Sequence, residues 1–368
     1  MTKSIRSTVA AIAVLAAAAL FTGCFEDPVS HKEKEEGDKL FVVESDYTTG
    51  RLQWIGLEKG TFSSSNIGVF SDAVVRSFGG YLYVIERYGA DNIMKFNPAK
   101  TNDSGICYQE HLGDGWNPQD IEFLSETKAY VSCQGTPKIL IFNPAGGTVT
   151  GSIDISAYTF NPDSNSSPHA ADLQLAGTFL YAMLQRRNGF NPGAPTLLLK
   201  ISTSTDRIVD TIALTYKNGY AMSYADNALY ISNPGSNYSV GDGAVEKVDL
   251  STKTVTTIID EDDLGGNPNE IVHKSGSRFY VTNYIGWKNV KVVEIDVENK
   301  TIVETLPKIK DAFGGIFYDK TDDLLYVGER DSLECGVRKF RDNEQTGQTI
   351  TSSETLPPSG LVVVRKKD

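Results

Sequence analysis

The chain has 368 residues, and its length alone would fit two domains. Its 47 acidic side chains outnumber 35 basic ones, and the formal net charge of −12 argues against nucleic acid as a partner and against electrostatic attachment to anionic lipid. Beyond Cys24 the cysteines are Cys107, Cys133 and Cys335, an odd number without CxxC or Cys/His spacing, which disfavours a metal-binding or redox motif.

The N-terminal segment has the pattern of a secretory signal. Lys3 and Arg6 precede an apolar run, residues 9–21, that is too short to span a bilayer and is followed by Thr22-Gly23-Cys24. The segment resembles the lipobox of bacterial lipoproteins, in which a small residue precedes a cysteine that is acylated and becomes the mature N-terminus. The resemblance implies a signal peptide over residues 1–23 and a lipid on Cys24 that attaches the protein to a membrane. The alternative is an ordinary signal peptide followed by an incidental cysteine.

Residues 24–38 are charged and have no hydrophobic period, so they are predicted to form a flexible tether. Phe25, rather than aspartate, follows the cysteine. By resemblance to the sorting rule of enteric bacteria, this residue favours the outer membrane over retention at the inner one. We therefore expect a lipid-anchored protein of the cell envelope, either periplasmic or facing the cell surface.

From residue 39 onward, the chain repeats a short strand built around an aromatic residue. The seven strands read KLFVVES, YLYVIER, KAYVSCQ, FLYAMLQ, ALYISNP, RFYVTNY and LLYVGER. Their central residues, which we call the register aromatics, are Phe41, Tyr83, Tyr130, Tyr181, Tyr230, Tyr280 and Tyr326. These residues lie between 42 and 51 positions apart, and a repeat of that length made of strands and turns is typical of a β-propeller.

Each repeat contains the parts of a four-stranded blade. Between residues 117 and 155, the runs QDIEFL, KAYVSC, KILIFN and TVTGSID have strand length and are separated by SET, GTP and PAGG. One such sheet cannot cover both of its apolar faces, so stacking seven of them around an axis supplies the core. We therefore predict one all-β domain over residues 39–368, a seven-bladed β-propeller of four-stranded antiparallel blades.

The sequence leaves open how the ring closes. The first repeat begins directly at its aromatic strand, and the chain ends with the apolar run at residues 360–365. This C-terminal strand is expected to complete either the first blade or the last one. Residues 331–359 are polar and rich in turn formers, so they are either an inserted loop or a poorly formed pair of strands.

The sixth repeat contains Tyr280-Val281-Thr282-Asn283, which is the signature of the YVTN family of bacterial β-propeller repeats. The segments YISN (230–233) and YVSC (130–133) look like variants of it. The resemblance implies a seven-bladed propeller of extracytoplasmic type. It says little about activity, because proteins of one fold carry many functions.

A set of polar residues follows the register aromatics at constant spacing. Three positions after each aromatic, the chain has Glu44, Glu86, Cys133, Leu184, Asn233, Asn283 and Glu329. The glutamates fall in the first, second and seventh repeats, which are neighbours in a closed ring, so three carboxylates are expected to converge on one sector of the rim. Convergent carboxylates need compensation. We expect Arg87 and Arg330 to form an inter-blade salt-bridge network with them, and the alternatives are a Ca²⁺ site and solvated charge.

Loops that lead into three of the predicted first strands carry prolines and acidic residues. They read Asn117-Pro-Gln-Asp120, Pro168-His-Ala-Ala-Asp172 and Asn267-Pro-Asn-Glu270. In the structural interpretation, proline fixes the loop and the Asn or Asp side chain satisfies nearby backbone amides. In the functional interpretation, the polar lining of a central funnel consists of Asp120, His169, Asp172 and Glu270.

Aromatic residues in long loops rich in glycine and asparagine offer a different surface. They are Trp116, Phe190, Tyr238, Tyr284 and Trp287. Exposed aromatic rings beside amide side chains suit stacking against sugar rings or gripping a protein loop. The alternative is that each ring packs on its own blade.

Two functional hypotheses remain. The first is a monomeric, non-catalytic binding or scaffold module for a glycan, a peptide or another envelope protein, without a cofactor or a metal. The second is a propeller hydrolase or lyase of lactonase-like type with its site in the central funnel. The chain has four histidines and shows no Ser/His/Asp spacing, phosphate loop or metal-ligand motif, which favours the binding module.

Overall fold

Seven four-stranded antiparallel sheets are arranged as the blades of a propeller in a computed structural model of the protein. The structure describes residues 37–161, 166–236, 241–352 and 356–366. The predicted signal peptide, Cys24, almost all of the predicted tether and Tyr238 lie outside these residues. Residues Glu36–Asp368 make up one compact unit. The predicted fold class, an all-β propeller of seven four-stranded blades, is confirmed.

The strands are numbered in chain order, and blades are numbered in the order of the repeats. They are β1 (Lys39–Ser45), β2 (Gly50–Gly56) and β3 (Ile67–Val69) in blade 1; β4 (Ala73–Phe78), β5 (Tyr81–Glu86), β6 (Asn92–Phe96) and β7 (Ile106–His111) in blade 2; and β8 (Pro118–Ser125), β9 (Lys128–Cys133), β10 (Lys138–Asn143) and β11 (Thr148–Asp154) in blade 3. Blade 4 follows with β12 (Ala170–Ala176), β13 (Phe179–Leu184), a small hairpin of β14 (Arg187–Asn188) and β15 (Asn191–Pro192), β16 (Pro195–Ser202) and β17 (Arg207–Lys217).

The remaining blades have the same order. They contain β18 (Ala221–Ala225), β19 (Ala228–Asn233), β20 (Ala244–Asp249) and β21 (Val255–Asp260) in blade 5; β22 (Asn267–Ser275), β23 (Arg278–Gly286), β24 (Asn289–Asp296) and β25 (Thr301–Thr305) in blade 6; and β26 (Ile316–Asp319), β27 (Leu324–Glu329), β28 (Gly336–Arg341) and β29 (Glu344–Gln345) in blade 7, before the C-terminal β30 (Pro358–Val364). The described helices are α1 (Glu261–Leu264) and two 3₁₀ turns, Asp103–Gly105 and Ser156–Tyr158. None of these helices has the length and apolar character needed to cross a membrane.

The ring closes through the C-terminal strand. β30 pairs antiparallel with β1, so the innermost strand of blade 1 comes from the opposite end of the domain. This settles the choice between first and last blade in favour of the first. Residues 331–359 contain β28 and β29, so blade 7 has a regular third strand and a two-residue outer strand. The innermost strands, β30, β4, β8, β12, β18, β22 and β26, contact one another around the axis.

The register aromatics are buried between the sheets. All seven lie on the second strands and are at most 4% exposed. Four of them have a lysine as their cross-strand partner on the third strand, and in three of these pairs the ammonium group lies within 6.0 Å of the ring centre. The pairs are Tyr83 with Lys95, Tyr181 with Lys200, Tyr230 with Lys247 and Tyr326 with Lys339. A lysine over an aromatic face gains from the negative charge of the π system.

Asx turns connect the third strand to the fourth in two adjacent blades. Asp249 accepts the N–H groups two and three residues ahead, at 2.9 and 2.8 Å, and Asp296 does the same at 3.0 Å. Lys253 and Lys300 close these turns with φ near 61° and 56°. Because strands alternate in direction, these turns and those between first and second strands lie at the same end of the ring. The opposite end is left to the longer loops that carry the candidate site.

Candidate functional site: the central funnel

The seven innermost strands surround a central funnel of about 1310 Å³. Residues of all seven blades line it. We call the end where the innermost strands begin and the second strands finish the mouth, and the part lined by the innermost strands themselves the wall. The mouth is therefore built from loops, while the wall is built from rigid strands.

The three glutamates of the predicted rim sector are buried inside their own blades. Glu44, Glu86 and Glu329 are at most 3% exposed and lie near the ends of the second strands. None of the three lines the funnel. That they converge on one another stays a prediction. Successive side chains of a strand point to opposite faces of the sheet, and neighbouring blades cover both faces of a second strand. A side chain at this position is therefore buried whichever face it points to. Asn283 occupies the equivalent position of blade 6 and is also buried; its Nδ2 donates to the carbonyl oxygen of Leu264 at 2.9 Å.

These glutamates are compensated by donors in their own blades and in the linkers between blades. The Nε atom of Arg51 lies 2.7 Å from Glu44. The Nε atom of Arg338 lies 3.3 Å from Glu329, which also accepts the N–H of Asp311 at 2.8 Å. Burial of a carboxylate is tolerated when such donors surround it. Glu86 has neutral donors instead of an arginine: it accepts hydrogen bonds from the N–H of Phe70 and from the side-chain amides of Asn92 and Gln109.

The two arginines that were expected to neutralise the glutamates have other partners. Arg87 forms an ion pair with Asp72. Arg330 donates to the carbonyl oxygens of Pro358 and Ser45 at 2.6 and 3.0 Å. The predicted salt-bridge network between these arginines and the glutamates is therefore wrong, because each arginine contacts other groups. Both arginines line the funnel instead.

Three acidic residues of the predicted loops line the funnel wall. Asp120, Asp172 and Glu270 each accept a hydrogen bond from the innermost strand of the following blade. The donors are the N–H groups of Leu173, Met222 and Ile316, at 3.0, 2.5 and 2.8 Å respectively. The carboxylates thus join neighbouring blades, which sequence reasoning did not foresee. That they also bind a ligand remains a prediction.

Arg76 is the cation that faces these carboxylates, and the sequence analysis missed it. Its Nε lies 2.7 Å from Asp120. Burial raises the pKa of Glu122 to about 7 and also raises the pKa of Glu270. Burial, followed by the neighbouring Asp120, raises the pKa of Asp172 well above its ordinary value. At neutral pH part of the wall therefore holds protons, so it offers hydrogen-bond donors as well as acceptors.

His169 stands in the loop before β12 with a positive φ of 57°. Burial, and then the charge of Arg187, lowers the pKa of its imidazole to about 4. Its Nδ1 is shielded from solvent and has no hydrogen-bond partner in the described part of the chain. His169 is therefore neutral at physiological pH and lies beside the mouth, rather than among the residues that line the funnel.

Exposed aromatic rings stand around the mouth. Six of the seven blades contribute one that is between 43% and 90% exposed: Tyr47, Tyr88, Phe190, Tyr220, Trp287 and Phe313. The sequence analysis named Phe190 and Trp287 of this set. Of its other aromatics, Tyr284 is partly buried and lines the funnel, Trp116 packs against the core of blades 2 and 3, and Tyr238 lies outside the described residues.

Amide side chains line the funnel together with the aromatic rings. Those lining the funnel are Asn117, Gln119, Gln134, Gln174, Gln185, Asn218, Asn267 and Asn269. An amide both donates and accepts hydrogen bonds, as a sugar hydroxyl does. No group of three or more His, Cys, Asp and Glu side chains suited to a metal ion occurs among residues 37–161, 166–236, 241–352 and 356–366. The arrangement is suited to holding a polar ligand with flat faces.

The fold is shared with solved structures whose names describe different functions. Hydrazine synthase of Kuenenia stuttgartiensis has a TM-score of 0.61 and 14% identity, covering 82% of this chain and 94% of that chain. Apo AztD of Citrobacter koseri has a TM-score of 0.55 and 12% identity, covering 90% and 99%. Dihydro-heme d1 dehydrogenase NirN in complex with DHE has a TM-score of 0.56 and 12% identity, covering 88% and 74%. No protein-family model and no curated protein sequence matches. Likeness at such low identity shows the fold alone.

Proposed function

We propose that the protein is a non-catalytic binding module of the cell envelope that receives a glycan, a peptide or a loop of an envelope protein at the mouth of the funnel. The observation that carries this proposal is the set of exposed aromatic rings contributed by six blades around one opening. Large apolar side chains exposed together, rather than singly, mark interaction sites in soluble domains. Below them, amides and partly protonated carboxyls supply polar contacts.

The attachment to the envelope is proposed from the sequence. Residues 1–23 act as the signal peptide, the lipid on Cys24 anchors the protein, and residues 24–38 serve as the tether that lets the propeller reach its ligand. The absence of an aspartate after Cys24 supports the outer membrane, with the propeller either periplasmic or at the surface. We further propose a monomer that uses neither a cofactor nor nucleic acid, in keeping with the acidic net charge of −12.

A binding screen with the purified full chain in detergent tests this function. Envelope glycans and peptides are titrated while tryptophan emission is recorded, because Trp287 is 79% exposed at the mouth whereas Trp54 is buried. We expect a ligand to change the emission of the wild type. Trp287→Ala and Phe190→Ala are each expected to weaken binding at least about tenfold, measured by calorimetry because the first change removes the reporter. Tyr224→Ala is the matched control, since Tyr224 is an exposed aromatic outside the funnel lining. Equal loss in all three variants contradicts binding at the mouth.

A hydrolase or lyase of lactonase-like type is the second candidate. The observation in its favour is Glu122, a funnel-wall carboxyl whose pKa is raised to about 7, which suits a proton donor near neutral pH. Turnover of lactones and polysaccharides that is lost in Glu122→Gln, with ligand binding retained, supports this candidate. Binding without turnover supports the binding module.

A further inference from the structure

Arg187 is a funnel arginine that combines the lack of an acidic partner with a buried donor that is not hydrogen-bonded within the described residues. It lies in the β14–β15 hairpin of blade 4, lines the funnel and is partly buried. Its Nη2 donates to the amide oxygen of Gln134 at 3.2 Å. Its Nε is shielded from solvent and has no hydrogen-bond partner in the described part of the chain. A buried donor without a partner costs free energy in the unliganded protein.

The other funnel arginines show the contrast. Arg76 and Arg87 each form an ion pair with an aspartate, and Arg330 donates to two carbonyl oxygens and lies over the ring of Tyr47. Among the described residues, no carboxylate lies within ion-pair distance of Arg187. Burial alone lowers its pKa, and no acidic neighbour offsets that shift. The cost of partly burying a cation is recovered when an anion binds to it.

The hairpin holds Arg187 beside the aromatic mouth. Phe190, 90% exposed, stands at the tip of the same hairpin. Gly193 lets the hairpin fold closely, because a Cβ there would lie 2.5 Å from the carbonyl oxygen of Arg186 and 2.8 Å from the ring of Phe160. His169 is neutral and adds no charge, and Arg187 is the charged residue of the hairpin that lines the funnel. A ring that stacks on Phe190 can therefore present a substituent to Arg187.

We infer that Arg187 is the anion-binding residue of the funnel and that the ligand carries a carboxylate or phosphate group on or beside a flat ring. The inference rests on the proposed function and specifies its ligand class. The guanidinium has the planar fork that matches both oxyanions. The amide of Gln134 accepts from Arg187 at 3.2 Å and donates to Gln185 at 2.8 Å, so this chain of hydrogen bonds fixes the position of the guanidinium.

Two matched probe pairs test the inference and separate the two anions. One is trigalacturonic acid with its neutral methyl ester, and the other is terminally phosphorylated maltotriose with maltotriose. With the full chain in detergent, we expect the charged member of at least one pair to bind at least about tenfold more tightly than its neutral counterpart, and the preference to shrink as NaCl rises. The pair that shows the preference identifies carboxylate or phosphate.

Variants assign the preference to Arg187. Arg187→Gln is expected to remove most of the tenfold difference in affinity between the charged and the neutral probe, and Arg187→Lys to retain part of that difference. Arg207→Gln is the control, because Arg207 is exposed on the outer strand of the same blade. Equal affinity for charged and neutral probes, or a preference that survives Arg187→Gln, overturns the inference. If neutral sugars still bind through Trp287, the proposed function stands without it; if no glycan or peptide binds, both fail.

Discussion

The ring of Tyr230 in blade 5 lies 4.3 Å from the ring of Phe279 in blade 6, measured between centroids. Both residues are buried, and they belong to one cluster that spans the two blades. A register aromatic thus packs against the next sheet as well as fixing its own. Contacts of this kind hold neighbouring blades together, because no blade can cover its own apolar faces.

Replacing Tyr230 by alanine tests this packing. The change leaves a large cavity between two blades, and we expect the free energy of unfolding to fall by about 3–5 kcal/mol. Phe190→Ala is the control, because a ring that is 90% exposed loses little packing and should cost under about 0.5 kcal/mol. Urea denaturation of the two variants measures both values. Equal destabilisation contradicts the burial of the register aromatics as the source of stability.

The architecture was predictable because it depends on a repeated sequence pattern. The spacing of the aromatics and the four strand-length runs in each repeat follow from burying both faces of every sheet. Sequence alone could not place the long-range contacts. The pairing of β30 with β1 joins residues more than three hundred positions apart. For residues 331–359, where β28 lies, the sequence left both a loop and a strand pair open, because these residues are polar.

The site was predictable only in part, because exposure depends on what covers a strand end. Trp287 and Phe190 stand at the mouth, as stacking against a ligand requires, whereas Glu44 at a similar strand end is covered by neighbouring blades. Arg76 and Arg187 were missed, since nothing in their local sequence shows which charges meet in the funnel. Alternate positions on the innermost strands are the signal that could have found Arg76, because every second side chain there faces the axis.

One arginine adds ion pairs where the ring closes. Arg365 follows β30 and pairs with Asp38, Asp319 and Asp322, which belong to both ends of the domain. We expect Arg365→Ala to lower the free energy of unfolding by about 1–2 kcal/mol, a modest value because the side chain is 34% exposed. The loss should shrink at high salt. Urea denaturation at two NaCl concentrations measures it, and Arg207→Ala, expected to cost under about 0.5 kcal/mol, is the control. An equal effect of both changes excludes a closing role.

The proposed lipid anchor is tested at Cys24. Without the thiol there is no acylation, so Cys24→Ser is expected to release the propeller in soluble form or to leave an uncleaved precursor at the inner membrane. Fractionation of cells that express the wild type and the variant measures this. Cys107→Ser is the control, because Cys107 is an exposed cysteine of the folded domain. Outer-membrane fractionation that is the same in both variants rules out acyl anchoring through Cys24.

The raised pKa of Glu122 makes stability depend on pH. Its carboxyl has an ordinary pKa of 4.5 and a pKa of about 7 in the folded protein, so the folded state keeps a proton that the unfolded state loses between these values. The free energy of unfolding therefore falls as pH rises through this window and changes little above it. We expect the loss between about pH 5 and about pH 8 to be on the order of 2 kcal/mol from this group.

Glu122→Gln isolates that contribution. The amide oxygen can still accept the N–H of Leu175, which Glu122 accepts at 2.9 Å, while the ionisation is removed. We therefore expect urea denaturation of the variant to show a flatter pH dependence and, near pH 8, a stability equal to or above that of the wild type. Glu298→Gln, at an exposed turn of blade 6, should keep the wild-type slope. A slope unchanged in Glu122→Gln shows that this carboxyl ionises normally, and the hydrolase or lyase candidate then loses its proposed proton donor.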